Sequence, residues 1–316
     1  MKQAPTASAD TQAALLGLAC GDAVGTTVEF YPRGRFVPLT DMVGGGKFRL
    51  RPGEWTDDTA MALCLAESLV VCRGFDALNQ MQRYWRWANE GYWSCRPQAF
   101  GMGKTVSKAL RRFHQTGDPV AGSTDPKDSG NGSLMRLAPI PMAWHFDRAQ
   151  AIHWAIESSR LTHASSDCLA SCAYFSALIW SALQGVQDKA QLLAEVSDIA
   201  LPVSMQRIAD HAFLHATEND YDGSGYVVAT LEAALWAFFS TDSFEQAILR
   251  AANLGGDADT TAAVCGQIAG AFYGMDGIPS SWLSKLARAE EIATLGNNLL
   301  ALQKGQFLVP DALENA

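Results

Sequence analysis

The sequence predicts an all-α fold built as a single helical domain, and three observations support that reading. Apolar residues recur at helical spacing in segment after segment, no stretch sustains the alternation of a half-buried strand, and no low-complexity linker divides the chain. With 316 residues, 48% of them hydrophobic, there is ample material for a large core. Residues 11–305 are read as the domain, 1–10 as a disordered N-terminal tail and 306–316 as a C-terminal tail.

The first helix is read over 11–29. Gly17, Gly21 and Gly25 recur every four positions along it, leaving a smooth ridge on which another helix can lie closely. Asp22 and Glu29 share nearly one face if the helix persists that far, although Asp22 reads equally well as an exposed carboxylate. Prolines, basic residues and Gly44-Gly45-Gly46 then carry the chain to Gly53-Glu54-Trp55-Thr56-Asp57-Asp58-Thr59, which opens a helix over 60–71. The next helix, 76–89, bears Tyr84, Trp85 and Trp87, with Trp93 just beyond; such a stripe is more often core than a platform for a nucleobase.

Gly101-Met102-Gly103-Lys104-Thr105 lacks the glycine that a Walker loop needs five positions before Gly103, where Gln98 stands. What remains is an ordinary glycine turn or an anion site at the start of a helix over 105–113. Lys104 reads either as a cation near a phosphate or as a solvated helix residue. A polar loop over 117–131 leads into Gly130-Asn131-Gly132-Ser133-Leu134-Met135-Arg136, another flexible backbone feeding a helix. His163 precedes an apolar helix over 168–183 and reads as a capping or core histidine as readily as a catalytic one. Helical patterns continue over 188–199, 205–217, 225–239, 243–253, 259–274 and 279–303. Gly266, Gly270 and Gly274 repeat the glycine ridge, so their helix and the first are expected to meet in the crowded centre.

The chemistry gathers at two helix starts. Thr56, Asp57 and Asp58 stand at one; Asp257, Asp259 and Thr260, after Asn253-Leu254-Gly255-Gly256, stand at the other. Hard oxygen donors of this kind suit magnesium, calcium or manganese rather than zinc. Asp and Thr are also common N-caps, favoured by the helix dipole. A cap uses one side chain, however, and each cluster offers three, so the pair favours metal. No G-x-S-x-G elbow, H-E-x-x-H pair, His-Asp dipeptide or dinucleotide fingerprint competes with this reading.

The remaining composition excludes several partners. A formal charge of −9 argues against nucleic acid. The N-terminus lacks the layout of a signal peptide, and no apolar run reaches the ~18 residues of a membrane span. Seven cysteines without CxxC spacing read as reduced core residues of a cytoplasmic protein. A carboxylate-rich metal site beside glycine loops suits hydrolysis of a phosphorylated sugar compound.

These motifs resemble the ADP-ribosylglycohydrolases, the dinitrogenase reductase-activating glycohydrolase family. The resemblance is carried by Gly21-Asp22-Ala23-Val24-Gly25 with Glu29, the two acidic clusters, the segment from Gly130 to Arg136, Thr162-His163-Ala164-Ser165 and the helix that follows Gly225-Tyr226. It implies an orthogonal helical bundle with two magnesium or manganese ions between the clusters, held by Thr56, Asp57, Asp58, Asp257, Asp259 and Thr260. It implies that Glu29 touches the metal site or the water, with Glu29 or Asp58 deprotonating that water. Gly101, Gly103, Lys104 and Thr105, with Ser129, Gly130, Asn131 and Gly132, would hold diphosphate and ribose; His163 would lie near the substrate and Tyr226 against the nucleoside. The implied activity is metal-assisted release of ADP-ribose from a protein side chain or a small molecule.

Arginine-directed members of that family often carry an acid where this chain has Gly101 and an Asn where it has Lys104. The Gly-x-Gly form resembles members acting on serine-linked or smaller O-linked compounds, so arginine and O-linkages both stay open. The family fold also serves non-catalytic ADP-ribose-binding proteins, against which the intact acids of both clusters count; an immunity protein that neutralises an ADP-ribosyltransferase toxin by binding it, with or without hydrolysing its product, stays open.

Overall fold

Glycine spacing decides where the centre of this protein lies. The computed structural model describes residues 12–302, so the tails read over 1–10 and 306–316 lie outside the described residues. The chain forms α1 (Gln12–Gly25), α2 (Asp57–Cys72), α3 (Ala77–Glu90), α4 (Lys104–Thr116), α5 (Pro139–Ala143), α6 (Arg148–Arg160) and α7 (Ser166–Leu183). It continues with α8 (Lys189–Ala194), α9 (Gln206–Ala209), α10 (Val227–Phe239), α11 (Phe244–Ala252), α12 (Ala258–Gly277), α13 (Ser280–Lys285) and α14 (Ala289–Ala301). Among the described residues, β pairing is confined to isolated bridges such as Pro32 with Gly255 and Gly130 with Tyr226. The fold is all-α.

Helices α1 and α12 pack along their glycine ridges. A Cβ added to Gly17 would lie 2.3 Å from Gly266 O, one on Gly21 2.1 Å from Ala262 O, and one on Gly25 2.3 Å from Ala258 O. The contacts step one turn along each helix in opposite directions, so the pair is antiparallel. The C-terminal end of α1, with Asp22, therefore meets the N-terminal end of α12, with Asp259. Both helices are apolar nearly all round and buried along most of their length, as helices at the centre of a bundle must be. Helices α2, α7, α10, α11 and α14 surround the pair.

Composition alone allows α7 another setting. It is 18 residues long with mean hydropathy 1.2, long and apolar enough to cross a membrane, contrary to the expectation that no run reaches that length. In the fold 67% of it is buried, against α6, α10 and α12, as a core helix would be. All seven cysteines are unpaired, five of them buried.

Several boundaries differ from those expected. The first helix stops at Gly25 because the chain must turn to lay Phe30 N on Gly256 O (2.7 Å) and accept Gly256 N at Tyr31 O (2.9 Å). The segment 279–303 is two helices. Between them Ala287 N donates to Gly53 O, Ala287 O accepts from Trp55 Nε1 (2.9 Å), and Arg288 adopts φ +59°, so the break straps the chain just ahead of α2. Residues 205–217 hold only one helical turn and short 3₁₀ turns, interrupted at His211 with φ +53°. Few apolar anchors (Met205, Ile208 and Phe213) are buried there, too few to hold a longer helix. Helix α8 likewise ends at Ala194 instead of running to 199. Helix α6 was not expected from its mixed pattern; Asp147 starts it by accepting from Gln150 N.

Candidate active site

Helix starts ordinarily use an oxygen side chain to cap their own backbone, and this protein does so at Asp76 before α3 and Ser165 before α7. Thr56 and Asp257 occupy the same positions before α2 and α12, yet neither makes a side-chain capping bond. Capping therefore does not account for them. Their oxygens turn instead into one acidic cluster, Thr56 Oγ1 toward Asp22, Asp58 and Asp259 and the Asp257 carboxylate beside Glu29 and Asp259, where α1 ends and α2 and α12 begin.

Asp22 sits at the centre of this cluster and is fully buried, not exposed. It accepts from Thr56 N (3.0 Å), Thr56 Oγ1 (2.9 Å), Thr59 N (3.0 Å) and Thr59 Oγ1 (2.6 Å), which fixes the start of α2 against α1. Asp58 Oδ2 lies 3.3 Å from Thr56 Oγ1 and 3.4 Å from Thr260 Oγ1, so the two clusters meet directly. Asn131 reaches in from the loop before α5, donating to Asp257 Oδ2 at 2.6 Å and to Thr230 Oγ1 at 2.9 Å. Glycine makes the entry to α12 possible: Gly255 and Gly256 both need positive φ, +70° and +65°, to turn Asp257 inward.

The carboxylates form two groups that share Asp259. Asp22, Asp58 and Asp259 make one; Glu29, Asp257 and Asp259 make the other; in each, one oxygen per residue lies within 4.8 Å of the rest. Burial is the largest cause pushing the Asp57, Asp58 and Asp259 carboxyls well above the usual range, and neighbouring negative charges push them further. Glu29 rises to about 8, mainly by burial, partly offset by its hydrogen bond with Asp259. Glu29 Oε2 and Asp58 Oδ1 are buried without any partner. Oxygen-only donors, unpartnered buried oxygens and uncompensated negative charge together fit hard divalent cations, and the buried acidic cluster is consistent with a metal site.

A cleft of about 400 Å³ opens over this floor, lined by Glu29, Asp57, Asp257, Asp259 and Thr260, the loops 101–106 and 130–132, and His163. No side chain caps α4 at Gly103, so the first N–H groups of that helix are left for an anion. Gly101 has φ +86°, and a Cβ there would lie 2.1 Å from Asp57 Oδ1. An acid at position 101 thus has no room while Asp57 holds its present place. Lys104 is exposed at the rim. His163 is buried, and burial with the nearby Arg136 charge holds its pKa down to about 3.

Not every expected residue faces the cleft. Thr56 and Asp58 lie behind the floor. Ser129 is buried with its Oγ 2.8 Å from Ser165 Oγ, so it braces the loop. Tyr226 is outside the lining, 37% exposed, its hydroxyl donating to Asp167 Oδ2 at 2.6 Å. Tyr84 and Trp87 are core, and Trp85 stacks on His114. The residue pattern alone does not place Asp22 in the cluster or Phe30 and Gly225 in the cleft. For Asp22 the signal was available: it lies between Gly21 and Gly25, on the stretch of α1 where α12 touches.

The ADP-ribosylglycohydrolase family pattern matches residues 4–308. The chain is 41% identical over 286 residues to ADP-ribosylarginine hydrolase Tri1 of Serratia proteamaculans, covering 90% of this chain and 77% of that one. It is 34% identical over 277 residues to the ADP-ribosyl-[dinitrogen reductase] glycohydrolase of Rhodospirillum rubrum, covering 86% of this chain and 88% of the relative. A solved structure, an ADP-ribosylglycohydrolase-related protein complex, superposes with TM-score 0.83 at 42% identity, covering 93% of this chain and 98% of that chain.

Proposed function

The chain belongs to the ADP-ribosylglycohydrolase family and is a hydrolase of that family, and from that premise we propose that its cleft releases ADP-ribose from arginine side chains of proteins with the help of bound magnesium or manganese. The observation that carries the metal is the convergence of six acidic side chains, two of them with unpartnered buried oxygens, at and just behind the floor of a glycine-lined cleft. The arginine linkage is supported by the names of relatives at 41% and 42% identity, both ADP-ribosylarginine hydrolases. It outweighs the Gly-x-Gly argument for an O-linkage, because Gly101 has a local reason: Asp57 fills the space an acid would need.

Asp22, Asp58, Asp257 and Asp259 would hold the cations, with Glu29, Thr56, Thr260 and Asp57 beside them. Such cations supply polarisation of sugar hydroxyls and of water at neutral pH. The uncapped start of α4 and the glycine backbone at 130–132 receive the diphosphate, and His163 faces the same space. Glu29 is the group to move a proton. It lines the cleft and one of its oxygens has no partner, so it can take a proton from water and return one to the departing guanidine. Asp58, behind the floor, suits holding metal better than exchanging protons with substrate.

The test is a panel of ADP-ribosylated peptides, arginine-linked and serine-linked, together with O-acetyl-ADP-ribose, each with released ADP-ribose measured by chromatography. Preferred release from the arginine peptide is expected. Release confined to the O-linked compounds would refute the linkage proposed.

A further inference from the structure

His163 has two ring nitrogens, and which of them carries the proton decides what the ring can offer a ligand. The surroundings resolve this by counting donors. Thr162 Oγ1 is buried, and its two partners among the described residues are Arg136 Nη2 at 2.7 Å and His163 Nδ1 at 2.8 Å. A guanidinium only donates, so Arg136 occupies a lone pair of the hydroxyl. The hydroxyl proton then has one acceptor available, Nδ1. A ring whose Nδ1 accepts and which stays neutral must carry its proton on Nε2.

That nitrogen points at the substrate loop. A Cβ on Gly130 would lie 3.6 Å from His163 Nε2 and one on Gly132 3.1 Å from it, so glycines keep the approach open. Ser159 fixes the ring's backbone from behind, accepting His163 N at its carbonyl (2.7 Å) and donating Oγ to His163 O (2.8 Å). Arg136 is itself buried, with no carboxylate partner among the described residues. It donates to Gly132 O (2.9 Å) and lies over the Tyr84 ring. An unpaired buried cation is a poor stabiliser of a fold, but here it braces both the loop and the histidine.

We propose that Arg136 and Thr162 are positioning residues that lock His163 as a neutral Nε2–H donor aimed at an anionic or hydroxyl oxygen of the ligand in the cleft. Burial and the Arg136 charge oppose protonation of the ring, while Asp128 favours it weakly. The ligand named here rests on the ADP-ribosyl hydrolase reading; the tautomer does not.

The experiment is nitrogen-15 NMR of the full chain labelled at histidine, with His163 assigned by His163→Gln, alongside calorimetry with ADP-ribose. The wild type is expected to show a protonated Nε2 and a bare Nδ1. Thr162→Val is expected to mix the tautomers and weaken ADP-ribose binding about tenfold, the loss of one hydrogen bond to a charged oxygen; Thr162→Ser is expected to restore both. A merely structural Thr162 would lower the melting temperature without moving the tautomer. A proton on Nδ1 in the wild type overturns the proposal whether or not any variant folds, as does a Thr162→Val protein with unchanged tautomer and affinity. A wild type with the expected tautomer that binds no ADP-ribose overturns the hydrolase reading, and with it the ligand named.

Discussion

Replacing Gly21 by alanine tests how the central helices build the site. Helix propensity alone says that Gly→Ala inside a helix stabilises by about 0.5–1 kcal/mol. Here the added Cβ would lie 2.1 Å from Ala262 O, 2.5 Å from Ala262 C and 2.9 Å from Ala263 N, all backbone atoms of α12 that cannot rotate away. Side-chain carbons essentially never come within 3.0 Å of such atoms, so the helices must part by roughly 1 Å, an overpacking cost of about 1–3 kcal/mol. The expected sign is therefore reversed, with Tm falling by roughly 2–4 °C per kcal/mol. Asp22 is the next residue on α1, and Asp259 is on α12 beside the same contact. Metal ligation tolerates only about 0.2 Å, so manganese affinity should fall at least roughly tenfold as the two carboxylates separate. Thermal melts by circular dichroism and calorimetric titration with manganese read both effects. A Gly21→Ala protein with unchanged or raised Tm and unchanged affinity would refute this account of the helix pair.

Asp259→Asn removes the carboxylate common to both acidic groups; it should raise the Tm of chelator-treated protein by relieving like-charge repulsion, yet cut turnover at least about a hundredfold. Asn131→Ala leaves Asp257 without its donor and should weaken metal binding roughly 10- to 100-fold by calorimetry, with little change in fold by circular dichroism. For pH, the raised Glu29 pKa means that folded protein without metal keeps a proton the unfolded chain releases. That stabilisation is complete below about pH 4.5 and is lost as pH rises to about 8, so chelator-treated Tm should fall across this window, and less so in Glu29→Gln. Gly101→Asp should reduce activity by displacing Asp57 instead of improving arginine specificity, measurable as kcat/KM on the arginine peptide.

Much of this architecture is written in local pattern. The four-residue glycine spacing in α1 and α12 announced a close helix pair, and the two acidic clusters announced where it matters. Asp22 was harder, because a lone acid near a helix end looks the same whether it faces water or another helix. Only the packing of α12, and the four donors from Thr56 and Thr59, distinguish the two. The break between α13 and α14 was invisible for a related reason. The pattern continues through 286–288, and the chain leaves the helix to bond Gly53 and Trp55, more than 200 residues away. Arg136 stood in a motif but offered no clue to its direction; burial beside Thr162 is a tertiary fact.

The most direct test of the account is release of ADP-ribose from an arginine-linked peptide by chelator-treated protein, before and after adding back manganese or magnesium, with Asp259→Asn in parallel. The account predicts no release without metal, recovery on adding either cation, and no recovery in Asp259→Asn. Full turnover by chelator-treated wild type, or by the variant, would contradict it.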